Sequence, residues 1–101
     1  MYALTLAMAA DHAAEGIRVN CVCPGTVDTP WVGRLLAQAP DPAAARANLV
    51  ARQPIGRLGT AEEIAVAITF LASPAAGYVT GSALQIDGGT HGITVPPASR
   101  R

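Results

Sequence analysis

The chain has 101 residues, half of them apolar and 4% aromatic, and its seven cationic residues, all arginine, balance seven carboxylates. That length fits one small domain, and the apolar share argues against a disordered chain. Zero net charge without a basic stripe argues against a nucleic-acid face, and no apolar run reaches the ~18–20 residues of a membrane span.

Residues 2–14 read as a helix rich in Ala, Leu and Met, the strongest helix formers. Leu4, Leu6, Ala7, Met8, Ala9 and Ala10 make it apolar almost all round, so it should be covered on two sides. One side suits a sheet and the other a second helix, including one from another subunit. The same segment lacks the basic start of a signal peptide. Gly16 follows as a left-handed cap would.

Residues 17–23 read as a strand, with β-branched residues in a short apolar run, ended by Pro24 and Gly25. Cys21 and Cys23 fall on this strand. At about 3.3 Å per residue they share a face but sit near the limit for bridging. His12 and His91 are distant in sequence, so no metal site is expected, and reduced thiols suit a cytoplasmic setting.

Thr29 and Pro30 predict the N-cap and first position of a helix running to about Ala39. Asp41 caps another over 43–53, closed by Pro54 and Gly56. Thr60 and Glu63 form a capping box ahead of Ile64, Ala65, Ile68, Leu71 and Ala72 at helical spacing. Ser73 and Pro74 stop that helix. Residues 75–82 read as loop, 83–86 as strand and 87–89 as turn, and 94–101, with Pro96 and Pro97, as a disordered tail. No internal repeat is present.

Strand, helices, strand at these lengths reads as a parallel crossover unit. Open parallel sheets bind ligands beyond the carboxyl ends of their strands, which places the candidate site at Cys23, Pro24 and Gly25. Two strands do not make an independently stable sheet, and a leading apolar helix with no strand before it is unusual. Both features predict that the beginning of the domain is missing.

Three stretches carry a resemblance when taken in order: residues 17–29 (IRVNCVCPGTVDT), 56–65 (GRLGTAEEIA), and 78–81 with 86–89 (YVTG and IDGG). Together, over about residues 3–92, they resemble the common soluble subgroup of the short-chain dehydrogenase/reductase family. The resemblance implies an α/β fold, the C-terminal part of a doubly wound parallel-sheet, Rossmann-like domain. It assigns residues 1–93 to a partial domain holding the last two strands, with a homo-oligomer formed through the first helix and last strand. The family's glycine-rich phosphate loop, catalytic serine and Tyr-x-x-x-Lys pair have no counterpart here. Four residues after Tyr2 stands Leu6, and the chain contains no lysine. The lysine charge favours phenolate in the family, whereas an unassisted phenol titrates near roughly 10 and is a poor acid/base at neutral pH. Tyr2 is therefore read as a packing residue, and no catalytic residue is assigned.

What the resemblance implies for binding is the nicotinamide side of an NAD or NADP site. The Val27 backbone would meet the carboxamide, the Thr29 hydroxyl would bond the cofactor, and Pro24, Gly25 and Thr26 would wall the ring. Residues 31–53 would form the substrate-covering lid, carrying Trp31, Arg34, Arg46 and Arg52. The wording around 24–30 and 52–53 is similar to the branch acting on 3-hydroxybutyrate and sugar acids. Guanidinium forks read carboxylates bidentately, so Arg52 first and Arg34 second, with Trp31, are the substrate candidates. Two functions follow. One is part of an oxidoreductase transferring a hydride between nicotinamide and an alcohol, ketone or hydroxy acid, inactive and poorly stable alone. The other is a non-catalytic interaction module pairing with a full-length relative.

Overall fold

In the computed structural model, which describes residues 1–96, the elements run α1 (Tyr2–His12), β1 (Cys21–Pro24), α2 (Pro30–Ala37), α3 (Pro42–Ala51), α4 (Ala61–Ala72) and β2 (Ala83–Ile86). Short 3-10 turns at Ala13–Glu15 and Pro74–Ala76 extend α1 and follow α4. Residues 94–96 carry no regular element. The rest of the predicted tail, 97–101, lies outside the described residues.

β1 and β2 pair in parallel, Cys21 opposite Ala83 and Pro24 opposite Ile86. The helices α2, α3 and α4 form the crossover between them, as expected for parallel strands. α4 packs on β1, and α2 packs on α3 as a helical hairpin. All three predicted caps are present. The Thr29 hydroxyl accepts from the Val32 N–H, Asp41 accepts from the Ala44 N–H, and Thr60 with Glu63 closes a reciprocal box.

The first strand is shorter than the predicted 17–23 because its leading residues are used differently. The Val19 carbonyl accepts from the Gly81 N–H at 2.8 Å, and its N–H donates to the Thr80 hydroxyl at 3.2 Å. Asn20 clasps the same loop, donating to Val79 O and accepting from the Ser82 N–H, both at 3.0 Å. The Arg18 guanidinium donates to the carbonyls of Leu71, Ser73 and Val79 at 2.7, 3.1 and 3.2 Å, covering the C-terminal end of α4. Residues 18–20 thus bind the loop before β2 through side chains and one turn rather than through a ladder. The other boundaries shift by about two residues at helix ends, where the chain frays or tightens.

Five described residues are buried: Ala9, Leu58 and Ala76, with the polar Thr5 and Gln53. α1 rests on the loop before β2, where Gly81, at φ +70°, lies against Leu6 and Ala9. Tyr2 is half exposed, and its hydroxyl donates to Gly81 O at 3.4 Å. The outer surfaces of α1 and α4 show Leu4, Met8, Val66, Ile68 and Phe70. No described helix is long and apolar enough to cross a membrane.

Candidate functional site

The site grows from the carboxyl end of β1. The Gly25 N–H continues the ladder, donating to Ile86 O at 3.0 Å. A methyl group on Gly25 would lie 2.8 Å from the Asp87 Cα and 2.9 Å from its Cβ. Glycine is therefore required here by the neighbouring strand end, a reason the sequence did not reveal. Gly25→Ala should push the strand ends apart, a strain of about 1–3 kcal/mol. Exchange of the Cys21 and Gly25 amides, which donate across this seam, should accelerate in the variant. Unchanged protection would show that the seam can absorb the methyl.

Beyond Gly25, Thr26 O accepts from the Gly59 N–H at 3.0 Å, and the Asp28 N–H donates to Gly59 O at 2.8 Å. These two bonds form an isolated parallel bridge centred on Val27 and Gly59. In such a bridge the flanking residues use the inner hydrogen bonds, so the N–H and C=O of Val27 itself face away from Gly59. Neither takes part in a hydrogen bond among the described residues. Val27 is half-buried. Two residues on, the Thr29 oxygen is engaged as the cap of α2 at 3.3 Å, which leaves its hydroxyl hydrogen available.

α3 is tied to this loop at two points. Arg46 holds Asp28 with both terminal nitrogens, at 2.6 and 3.4 Å. Hydrogen bonds from Arg46 keep the Asp28 carboxyl below its usual pKa, and the carboxylate in turn raises Arg46. Just past the end of α3, Gln53 is buried at 6% exposure. Its amide nitrogen donates to Leu49 O at 3.1 Å and to the Thr26 hydroxyl at 3.4 Å. Its oxygen lies 2.9 Å from the Thr90 hydroxyl. Below the loop, a cavity of about 260 Å³ is lined by Thr26, Gln53, Arg57, Glu63, Gln85 and Asp87, among others.

Within that lining Arg57 grips Glu63 through two bonds of 2.8 and 2.9 Å. With the Thr60 N–H, these bonds hold the Glu63 carboxyl down to about 2. A carboxyl depressed in the folded chain contributes stability above its unfolded pKa of ~4.3 and loses it as pH falls toward the folded value. The start of α4 should therefore loosen between roughly pH 5 and pH 2, read by amide exchange at Glu63 and Ile64. Glu63→Gln should flatten that dependence, and an identical acid profile in the variant would assign the loss to other carboxylates.

The predicted site residues divide into two groups. Pro24, Gly25, Thr26, Val27 and Thr29 are brought together as one continuous edge. Trp31 and Arg34 on α2 and Arg52 at the end of α3 are exposed, and no described contact joins them. Arg34 and Arg52 make no ion pair or side-chain hydrogen bond among the described residues, whereas Arg46 on α3 is paired with Asp28. Gln53 had no role assigned from sequence, because a glutamine at a helix end carries no pattern that reveals its burial. Cys21 and Cys23 are free thiols. Partial burial and the neighbouring Cys21 push the Cys23 thiol up. No cluster of three or more metal-ligating side chains occurs among the described residues.

A parallel crossover with helices between its strands defines an α/β unit, whose unused backbone edge lies beyond the carboxyl end of β1, where open parallel sheets commonly bind ligands. A family model described as enoyl-(acyl carrier protein) reductase matches residues 1–91. The chain is 52% identical over 86 residues to dehydrogenase/reductase SDR family member 6 of Aquarana catesbeiana, covering 85% of this chain and 35% of that protein. It is 55% identical over 86 residues to cis-4-hydroxycyclohexanecarboxylate dehydrogenase of Sinomonas cyclohexanicum, covering 85% and 32%. It overlays the NADP-bound crystal structure of a protein from Agrobacterium tumefaciens, described as a 2-deoxy-D-gluconate 3-dehydrogenase, with a TM-score of 0.77 and 42% identity. That match covers 88% of this chain and 35% of the other. The chain belongs to the short-chain dehydrogenase/reductase family, an oxidoreductase family with a Rossmann-like fold. It spans about a third of the length of the relatives it matches.

Proposed function

We propose that this chain forms the nicotinamide-side wall of an NAD- or NADP-dependent oxidoreductase acting on an alcohol or carbonyl, and that it does not turn over alone. The observation that carries this reading is the outward-facing N–H and C=O of Val27. A carboxamide presents one acceptor and one donor, and a backbone pair offering one donor and one acceptor complements it. The residues therefore fit the cofactor's amide. When bound, the nicotinamide ring would carry the hydride. The chain's own part is to hold the ring's amide at Val27, to donate the free Thr29 hydroxyl hydrogen, and to wall the ring with Pro24, Gly25 and Thr26.

Arg52, Arg34 and Trp31 are proposed to meet the substrate as the α2–α3 hairpin covers it. Two exposed guanidiniums suit a carboxylate, and the similarity to a dehydrogenase named for a hydroxy acid supports that class. The apolar outer surface of α1 supports pairing with a like chain, and the two free thiols suit a cytoplasmic setting.

Titrating nicotinamide mononucleotide into the isotope-labelled chain tests the wall. The Val27 and Thr29 amide resonances should move while those of α1 stay fixed. Shifts confined to other residues, or none at saturating ligand, would remove the reading.

A further inference from the structure

Neither Gln53 nor Arg46 hydrogen-bonds the Val27 backbone, yet both end on the loop that carries it, Gln53 on Thr26 and Arg46 on Asp28. Gln53 is the more constrained. Its amide orientation is set by Leu49 O, an acceptor 3.1 Å away that tolerates only the NH2 side of the amide. That orientation sends the second N–H to Thr26 and turns the oxygen to Thr90. The Thr90 hydroxyl has one hydrogen and two acceptors in reach, Gln53 Oε1 at 2.9 Å and Asp87 O at 2.8 Å. One buried amide thus joins the end of α3, the loop after β1 and the turn after β2.

Arg46 makes the second tie, about two helical turns earlier and exposed to solvent. Its partner Asp28 is the residue whose N–H completes the bridge to Gly59. The two ties therefore grip Thr26 and Asp28, the residues on either side of Val27. The outward aim of the Val27 N–H and C=O depends on those two neighbours staying bonded to Gly59.

We infer that Gln53 and Arg46 are positioning residues that lock the loop around Val27 to α3, so that the ligand-binding edge is formed only while the α2–α3 hairpin is docked. This inference rests on the proposed nicotinamide wall for its functional meaning. Its mechanical part stands on the hydrogen bonds alone.

The test compares amide exchange in the full chain and in Gln53→Leu, Arg46→Gln and Arg46→Lys, each with and without nicotinamide mononucleotide. The quantity read is the exchange rate of Asp28 and Gly59 relative to Cys21 and Gly25 in the same sample, which cancels any change in global opening. Losing one buried hydrogen-bonded tie should raise that ratio roughly tenfold in Gln53→Leu. Arg46→Gln should raise it by a smaller factor, as expected of an exposed pair, and Arg46→Lys should return it toward the native value. In both loosened variants the mononucleotide-induced shift at Val27 should weaken. An unchanged ratio in Gln53→Leu and Arg46→Gln would overturn the inference, as would a loosened bridge with full mononucleotide binding. A raised ratio in a native chain whose Val27 never responds to the mononucleotide would uphold the clamp and overturn the nicotinamide reading. Should Gln53→Leu fail to accumulate, the Arg46 pair decides the matter, because its side chains are exposed and its removal leaves no buried polar group behind.

Discussion

Supplied with NAD(H) or NADP(H) and a panel of secondary alcohols, ketones and hydroxy acids, the isolated chain should give no turnover above the uncatalysed rate. A positioned acid/base contributes about 10²–10⁴ in rate, and orientation of both reactants contributes more. This sequence holds one tyrosine near its start and no lysine to favour the phenolate. The Tyr2 hydroxyl is directed at Gly81 O, on the loop before β2, rather than toward the edge at Val27. Reduced-nicotinamide absorbance checks the prediction directly. Turnover that persists and is abolished by Tyr2→Phe would make Tyr2 the acid/base group. Mixing with the complementary N-terminal portion of a relative, which carries the Tyr-x-x-x-Lys pair, should restore activity if this chain supplies only one wall. Failure of every such mixture would favour the non-catalytic interaction module.

The second large effect concerns how the chain behaves by itself. Its accessible surface is 7003 Å², against about 5,400 Å² for a compact monomer of this mass. Its radius of gyration is 16.8 Å, where a compact chain of this length has about 12.7 Å. The excess surface of roughly 1,600 Å² is about twice what one partner contributes to a standard protein–protein interface. Much of what it shows is apolar: Leu4, Met8, Val66, Ile68 and Phe70 are all exposed. Among the described residues β1 pairs on one side only, with β2, and an open strand edge is a template for further pairing. The isolated chain should therefore melt without a sharp transition, bind apolar dyes and elute as associated species. A monomeric peak with a steep melt would contradict this. A defined complex with a full-length relative, formed at the expense of the associated species, would identify the missing cover.

The loop around Val27 links these two expectations to the clamp. A chain this thinly buried depends on local ties, and Gln53 is one of only two polar residues buried among those described. Leaving its partners Thr26 and Leu49 unsatisfied should matter more here than in a domain with a thick core.

Local signals in the sequence determined a good deal. Thr29, Asp41 and Thr60 each act as the helix cap their residue type predicts, because a cap is a contact over three or four residues and is written in consecutive letters. The parallel crossover followed from element order, and residues 24–29 could be singled out because a proline–glycine strand end before a capped helix is itself a local pattern. The tertiary structure decided what depends on distant partners. Residues 17–20 had the composition of a strand, but their partner is a turn at Thr80 and Gly81 that offers a hydroxyl and one N–H instead of a ladder. Gly25 is needed because Asp87 packs against it, sixty-two positions away in sequence. Arg46 rather than Arg34 or Arg52 is the engaged arginine because only Arg46 comes within reach of Asp28. Gln53 is a buried junction because three segments converge on it. Capping and strand-end turns are encoded between neighbouring residues, whereas burial and pairing depend on which distant segments the fold brings together.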